Sequence, residues 1–265
     1  MKIVAKIKEL YKAHKHWKKV QRKKEHFLSQ IKAQLAFYKQ FIRPGDLVFD
    51  VGANVGDKTA VFLELGARVV AVEPQESCWR VLKKRFRHPM SDVTIVSQAL
   101  AEKEGVISLY VDKSATISST NNGWIKAVKK SGRFSSHKWD KKIEVKTTTL
   151  DHLIKEYGKP RFCKIDVEGA ESEVLKGLSV LIDCISFEFV PERIEKTIEC
   201  IEKLSSIGTF QYNLCFGEAE CFELPKSISD AEMKNYLLKM EPILTNYGDI
   251  YAFSDNVFND VSKMG

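Results

Sequence analysis

Residues 49–59, FDVGANVGDKT, decide how this chain folds. The apolar run Leu47 to Phe49 ends in Asp50, Gly52 and Gly56 follow, and a helix-like segment opens at Lys58. In an open α/β sheet, ligands bind at such turns, beyond the carboxyl ends of the strands. Gly52 removes a side chain where the backbone must pass close to a neighbour. Gly56 lets the following helix approach the sheet. Asp50, at the strand end, is placed to accept a hydrogen bond from a ligand ammonium, directly or through water.

Outward from this turn, strand-like and helix-like segments alternate. Strands are expected at 47–51, 68–74, 93–100, 106–111, 142–150, 161–167, 184–190, 209–216 and 249–254. Helices are expected at 58–65, 77–86, 151–157, 170–178, 191–205 and around 230–239. Short turns between them argue an α/β fold, a doubly wound parallel sheet with an antiparallel margin. Ahead of it, apolar residues recur at steps of three and four from Ile3 to Ile42, and RPGD (43–46) stops the pattern. The chain therefore divides into a basic amphipathic helical arm, 1–43, and one domain, 44–265. Within that domain, 113–142 has no clean period and forms an insertion.

Charge follows the same division. The arm carries 13 Lys and Arg against Glu9 and Glu25, and the insertion eight against Asp140 alone, although the whole chain is only +7. The rest is therefore acidic. Six cysteines without a CxxC pair, no membrane-length apolar run and no apolar leader after the lysine-rich start lead us to expect a cytoplasmic protein with reduced thiols. The arm has three readings: an oligomer seam, an anionic-membrane surface that would hold the protein peripherally, or a solvated helix docked on the domain.

Glu73 ends the second strand, 21 residues beyond Gly52. An acid about 20 residues past the glycine turn is placed to bind a ribose diol. Dinucleotide sites prefer G-x-G-x-x-G, but this turn reads D-x-G-x-x-x-G. Its leading acid would repel a pyrophosphate and welcome a methionine ammonium, which favours S-adenosylmethionine over NAD. Ser97 and Gln98, at the exit of the third strand, can meet an adenine edge. The candidate cofactor-binding set is Asp50, Gly52, Asn54, Gly56, Glu73, Pro74, Gln98, Ala99 and Asp166.

KIDVEGAESEVLKGL (164–178) is the second dense stretch. Asp166 and Glu168 leave their strand toward the crevice that Asp50 lines, while Glu171 and Glu173 offset a helix dipole. DVGANVGDKT, VEPQ, TTTLDHLI, KIDVEGAESEVLKG and FEF (187–189) together resemble the FkbM-type methyltransferases over roughly residues 44–190. The resemblance implies a class I Rossmann-like fold with a mostly parallel seven-stranded sheet and helices on both faces. It also implies S-adenosylmethionine and O-methylation of hydroxyls, often on glycans.

Candidates for the general base are Asp166, Glu168, Glu188 and His137, the single histidine of the insertion. No His/Cys pattern calls for a metal. Hydroxyls, amides, Trp124 and Trp139 in the insertion suit a sugar acceptor, and its lysines suit a phosphate- or lipid-linked one. The rivals are ribose methylation of RNA, with the basic segments on the phosphate backbone, and a non-catalytic binding protein. An Asn/Asp-Pro-Pro-aromatic or Pro-Cys loop, as base methylation requires, is absent from the Asp166 exit, which reads D-V-E-G.

Overall fold

The computed structural model describes residues 29–88, 91–112, 117–217 and 219–255. Most of the expected arm, 1–28, and residues 113–116 of the insertion lie outside these. Helix α1 (29–38) leads into β1 (Leu47–Val51), α2 (Asp57–Glu64), β2 (Arg68–Val72), α3 (Glu76–Arg85) and β3 (Val93–Val96). Then come β4 (Ala99–Leu100), β5 (Gly105–Val111), α4 (Asn122–Ser131), β6 (Lys141–Thr148) and α5 (Leu150–Tyr157). The chain continues with β7 (Phe162–Ile165), α6 (Glu171–Lys176), β8 (Cys184–Phe189), a 3-10 turn (Pro191–Arg193) and α7 (Ile194–Ser205). It closes with β9 (Phe210–Phe216), α8 (Asp230–Lys239) and β10 (Gly248–Ser254).

Seven strands form one sheet in the order β3-β2-β1-β7-β8-β10-β9. β3 to β8 run parallel, and β10 pairs antiparallel with both β8 and β9. The order reverses at β1, between β2 and β7, so the exits of these strands form the crevice where ligands bind. β1 and β7 read as unbroken buried runs because both faces of the sheet are covered. One face carries α5, α6, α7 and α8 over Phe49, Ile165, Phe187 and Ile250. The other carries α1, α2 and α3 around Phe162, Tyr251 and Phe253.

Three expectations change. Residues 93–100 are not one strand: after Val96 the chain leaves the main sheet, and Ala99–Leu100 joins β5 and β6 in a separate three-stranded sheet. The insertion contains a ten-residue helix, α4, capped by the Asn121 side chain, which accepts from Trp124 N at 3.0 Å. The end of the expected arm belongs to the domain core. Phe37, Tyr38, Phe41 and Ile42 are each no more than 4% exposed, and their rings meet Phe62, Phe162, Phe222 and Tyr251. The helix itself ends at residue 38, ahead of RPGD.

Candidate active site

The β1 exit is shaped by backbone contacts. Gly52, at φ 82°, passes so close to β7 that a Cβ there would lie 1.7 Å from the Asp166 carbonyl oxygen. Gly56, at φ 88°, is crowded from a different side than expected: Leu82 and Phe86, both from the α3 segment, each come within 2.6 Å of where its Cβ would be. Asn54 holds φ 49°, a conformation in which asparagine is the best tolerated non-glycine residue. This turn sends the Asn54 amide to Glu73 Oε2 at 2.9 Å. The Gln75 amide reaches Glu73 Oε1 at 2.7 Å. Burial still pushes the Glu73 carboxyl up to about 7, against these two bonds.

A cleft of about 580 Å³, counted with its open mouth, lies over these exits. Gly52, Asn54, Glu73, Pro74, Ala99, Asp166 and Glu168, all anticipated from sequence, line it. Val51, Val72, Leu100, Leu109 and Ala170 add apolar wall, and Ser118 and Thr120 come from the insertion. Three acids and no Lys, Arg or His line the cleft. That donor set suits a cationic nucleoside and offers a pyrophosphate nothing.

Other expected residues sit elsewhere. Asp50 is 2% exposed and accepts the Thr59 hydroxyl at 2.5 Å, so it fastens α2 to β1 beneath the cleft instead of lining it. Burial raises its pKa although Lys164 and Thr59 oppose the shift. Gly56 and Gln98 are also outside the lining, and Leu100 and Leu109 take the place given to the Gln98 edge. Glu188 lies beyond Gly169, in a small cavity with Trp124, Glu171, Arg193 and Lys196. Burial, then Glu168 and Asp166, raise its carboxyl well above the ordinary range. His137 is held in the insertion, its Nδ1 3.1 Å from Asp112 Oδ1, and does not line the cleft.

Trp124 and Trp139 are not a sugar platform. Trp124 is 1% exposed and packs on Phe134 and edge-on to Trp139. Trp139 donates from Nε1 to the Ile117 carbonyl at 2.7 Å and is covered by Lys129, 4.9 Å from its ring centre. Together with Ile125 and Val128 they build a small core, so the insertion is a folded cap. The cap is tied across the cleft. Ser118 Oγ donates to Gln75 Oε1 at 2.9 Å, Ser119 Oγ to the Glu168 carbonyl at 2.6 Å, and Asn121 Nδ2 to the Gly169 carbonyl at 2.6 Å.

Lys164 escaped the sequence reading. It is 2% exposed in the middle of β7, with Nζ 2.6 Å from Asp166 Oδ2. Burial would lower its pKa, but Asp166, Asp249 and Tyr38 outweigh that and hold it well above the ordinary lysine range. The signal was available, since a lysine inside an apolar strand two residues before an acid announces a buried pair. Glu171 turns back on its own loop, its Oε1 accepting from Val167 N and Gly169 N, both at 3.1 Å. Acids crowd this exit, yet no three His, Cys, Asp or Glu among the described residues are set to hold a metal.

Comparison with known proteins agrees with this geometry. The methyltransferase FkbM domain matches residues 50–251. The chain is 29% identical over 147 residues to the hexuronic acid methyltransferase AglP of Haloferax volcanii, covering 55% of each protein. It is 27% identical over 184 residues to the methyltransferase sdnD of Sordaria araneosa, covering 57% of this chain and 71% of that one. The chain thus spans about half the length of the first of these relatives. Among solved structures, precorrin-6y C5,15-methyltransferase of Geobacter metallireducens aligns over 85% of this chain and 87% of its own, with 11% identity and a TM-score of 0.44. The matched span opens at Asp50 and runs through the Glu73 and Asp166 exits to Tyr251, so the chain belongs to the FkbM methyltransferase family and is an S-adenosylmethionine-dependent methyltransferase.

Proposed function

We propose that the protein O-methylates a hydroxyl of a sugar or glycan, with Glu168 as proton acceptor and Glu188 behind it. One observation carries this reading. Glu168 lines the cleft with φ 56°, a left-handed backbone unusual for a glutamate, and it is fixed there by Ser119 on its carbonyl and by the Gly169 turn. A side chain aimed by such a turn is set for chemistry. An alcohol needs a positioned base, because its oxygen is a weak nucleophile until the proton leaves.

Bound S-adenosylmethionine supplies the electrophilic methyl and leaves as a neutral thioether. The chain's own residues then do the following. Glu73 takes the ribose hydroxyls. Asp166, ion-paired with Lys164, takes the positive end. Glu168 receives the acceptor's proton, and Glu188, whose carboxyl is raised by burial and by Glu168, lies behind it. His137, oriented by Asp112, stands on the cap side and would meet the acceptor there rather than the methyl. Support for a sugar comes from AglP, a hexuronic acid methyltransferase to which the chain is 29% identical over 147 residues.

Labelled methyl donor offered to uronic-acid glycans and to structured RNA tests the reading. Label in the glycan, lost by two to four orders of magnitude in Glu168→Gln with S-adenosylhomocysteine binding kept, is the expected result. Label only in RNA would overturn it in favour of ribose methylation.

A further inference from the structure

We propose that the edge of the molecule bearing the cofactor cleft docks on an anionic lipid surface, through an apolar tip at 242–244 flanked by the lysines of the cap. This is independent of which hydroxyl is methylated, because it concerns a surface outside the cleft.

The tip lies between α8 and β10. Ile243 and Leu244 are 48% and 40% exposed, Pro242 is exposed, and Leu238 in the last turn of α8 is 68% exposed. The loop is held in shape by its own bonds, Ile243 N to the Glu241 carbonyl at 2.8 Å and Asn246 Nδ2 to the same carbonyl at 3.0 Å. A compact loop that keeps two aliphatic side chains in water is a feature in search of a partner. Its position follows from strand register. β10 begins at Gly248, opposite Phe189, the last residue of β8. The tip therefore sits at the carboxyl ends of the parallel strands, where the cleft opens.

The cap adjoins it. Tyr247, three residues after Leu244, packs against the cap's aromatic core and lies under Arg133, 4.9 Å from the ring centre. Helix α4 buries Trp124, Ile125 and Val128 in that core and leaves Lys126, Lys129 and Lys130 exposed on a common face. The sequence ahead of Ser29, outside the described residues, carries ten Lys and Arg against two acids.

Aliphatic side chains that enter the headgroup layer, beside lysines that meet lipid phosphate, are the two components of peripheral membrane binding. Neither nucleic acid nor an acidic protein segment accounts for both. RNA would use the lysines but gives Ile243 and Leu244 nothing to stack on. Docked in this way, the cleft mouth faces the lipid, and an acceptor carried on a lipid reaches it without leaving the surface.

Co-sedimentation of the full chain with vesicles tests the proposal. Mixed phosphatidylglycerol–phosphatidylcholine vesicles are compared with pure phosphatidylcholine, using wild type, Ile243→Asp/Leu244→Asp and Lys126→Gln/Lys130→Gln. The lysine pair leaves Lys129 on Trp139, and thermal unfolding of both variants at the wild-type midpoint shows that the fold is intact. We expect wild type on the anionic vesicles only. Each double variant should bind at least tenfold more weakly, as about 1 kcal/mol per lysine near an anionic surface implies. Binding of both variants at the wild-type level would overturn the proposal and leave the attraction to the segment before Ser29. So would a wild type that ignores anionic vesicles, that binds neutral ones equally, or that binds RNA through these residues and no vesicle.

Discussion

Glu73 joins two demands that pull against each other. Burial pushes its carboxyl up to about 7, while ribose hydroxyls donate best to the ionised form. Bound nucleoside therefore lowers that pKa, and binding releases a proton. The sign follows: affinity rises with pH while free Glu73 is still ionising and levels off above its pKa. Between pH 6 and pH 8 we expect about a tenfold gain for S-adenosylhomocysteine by calorimetry, absent in Glu73→Gln. A gain of the same size in the variant would assign the titration to another group. Lys164 makes a second case. It is the buried cation that Asp166 touches and Asp50 and Asp249 face, so Lys164→Met leaves these acids uncompensated. Urea unfolding at neutral pH should show a loss of about 3–5 kcal/mol. That loss should shrink as the pH falls, because burial raises the Asp50 carboxyl and favours its neutral form. Glu73, Asn54, Asp166 and Glu168 were legible because strand-exit spacing places them. Ser118 and Thr120 were not, because their place in the cleft depends on where the cap lands.

The cap is the element whose reading changed most. Thirty residues with many lysines and no period read as an irregular insertion, and two tryptophans as suited to a sugar acceptor. Trp124 and Trp139 instead close a core with Phe134, and α4 stands on it. The short helix was obscured because Asn122–Ser131 spans fewer than three turns and alternates lysine with apolar residues too briefly to show a face. What fits the cap to the sheet is a glycine. Gly169 has φ 90°, and a Cβ there would lie 2.2 Å from the Trp124 ring. Gly169→Ala must therefore strain the turn and push the cap away from Asn121's anchor on the same residue. The expected loss is about 2–4 kcal/mol of stability, by thermal unfolding, from overpacking and left-handed backbone together. S-adenosylhomocysteine should bind at least tenfold more weakly, since Ser118 and Thr120 move with α4. A variant that loses stability yet binds normally would separate the cap from the cofactor.

For the molecule as a whole, alternation of strands and helices predicted the layers, and the β1 and β7 exits predicted the crevice. The sequence reading began the domain at residue 44, and side chains ahead of that point pack on the sheet. A proline–glycine turn at 44–45 resembles a linker, but burial decides membership in a core, and no local pattern reports which side chains of an amphipathic helix end up covered. Phe37, Tyr38, Phe41 and Ile42 fill the space between α2 and the sheet, and Tyr38 OH lies 3.5 Å from Tyr251 OH across that layer. A chain started at residue 44 would leave an aromatic trough over Phe62, Phe162 and Phe253. Phe41→Ala should cost about 3–5 kcal/mol in urea unfolding, as for other fully buried phenylalanines. A chain beginning at residue 44 should lose cooperative unfolding altogether, because four such side chains exceed the few kcal/mol by which domains are stable. A truncation at 44 that still unfolds cooperatively and binds S-adenosylhomocysteine at the wild-type level would restore the seam to RPGD. Binding that falls in parallel with stability in Phe41→Ala would instead make residues 37–42 part of the catalytic domain.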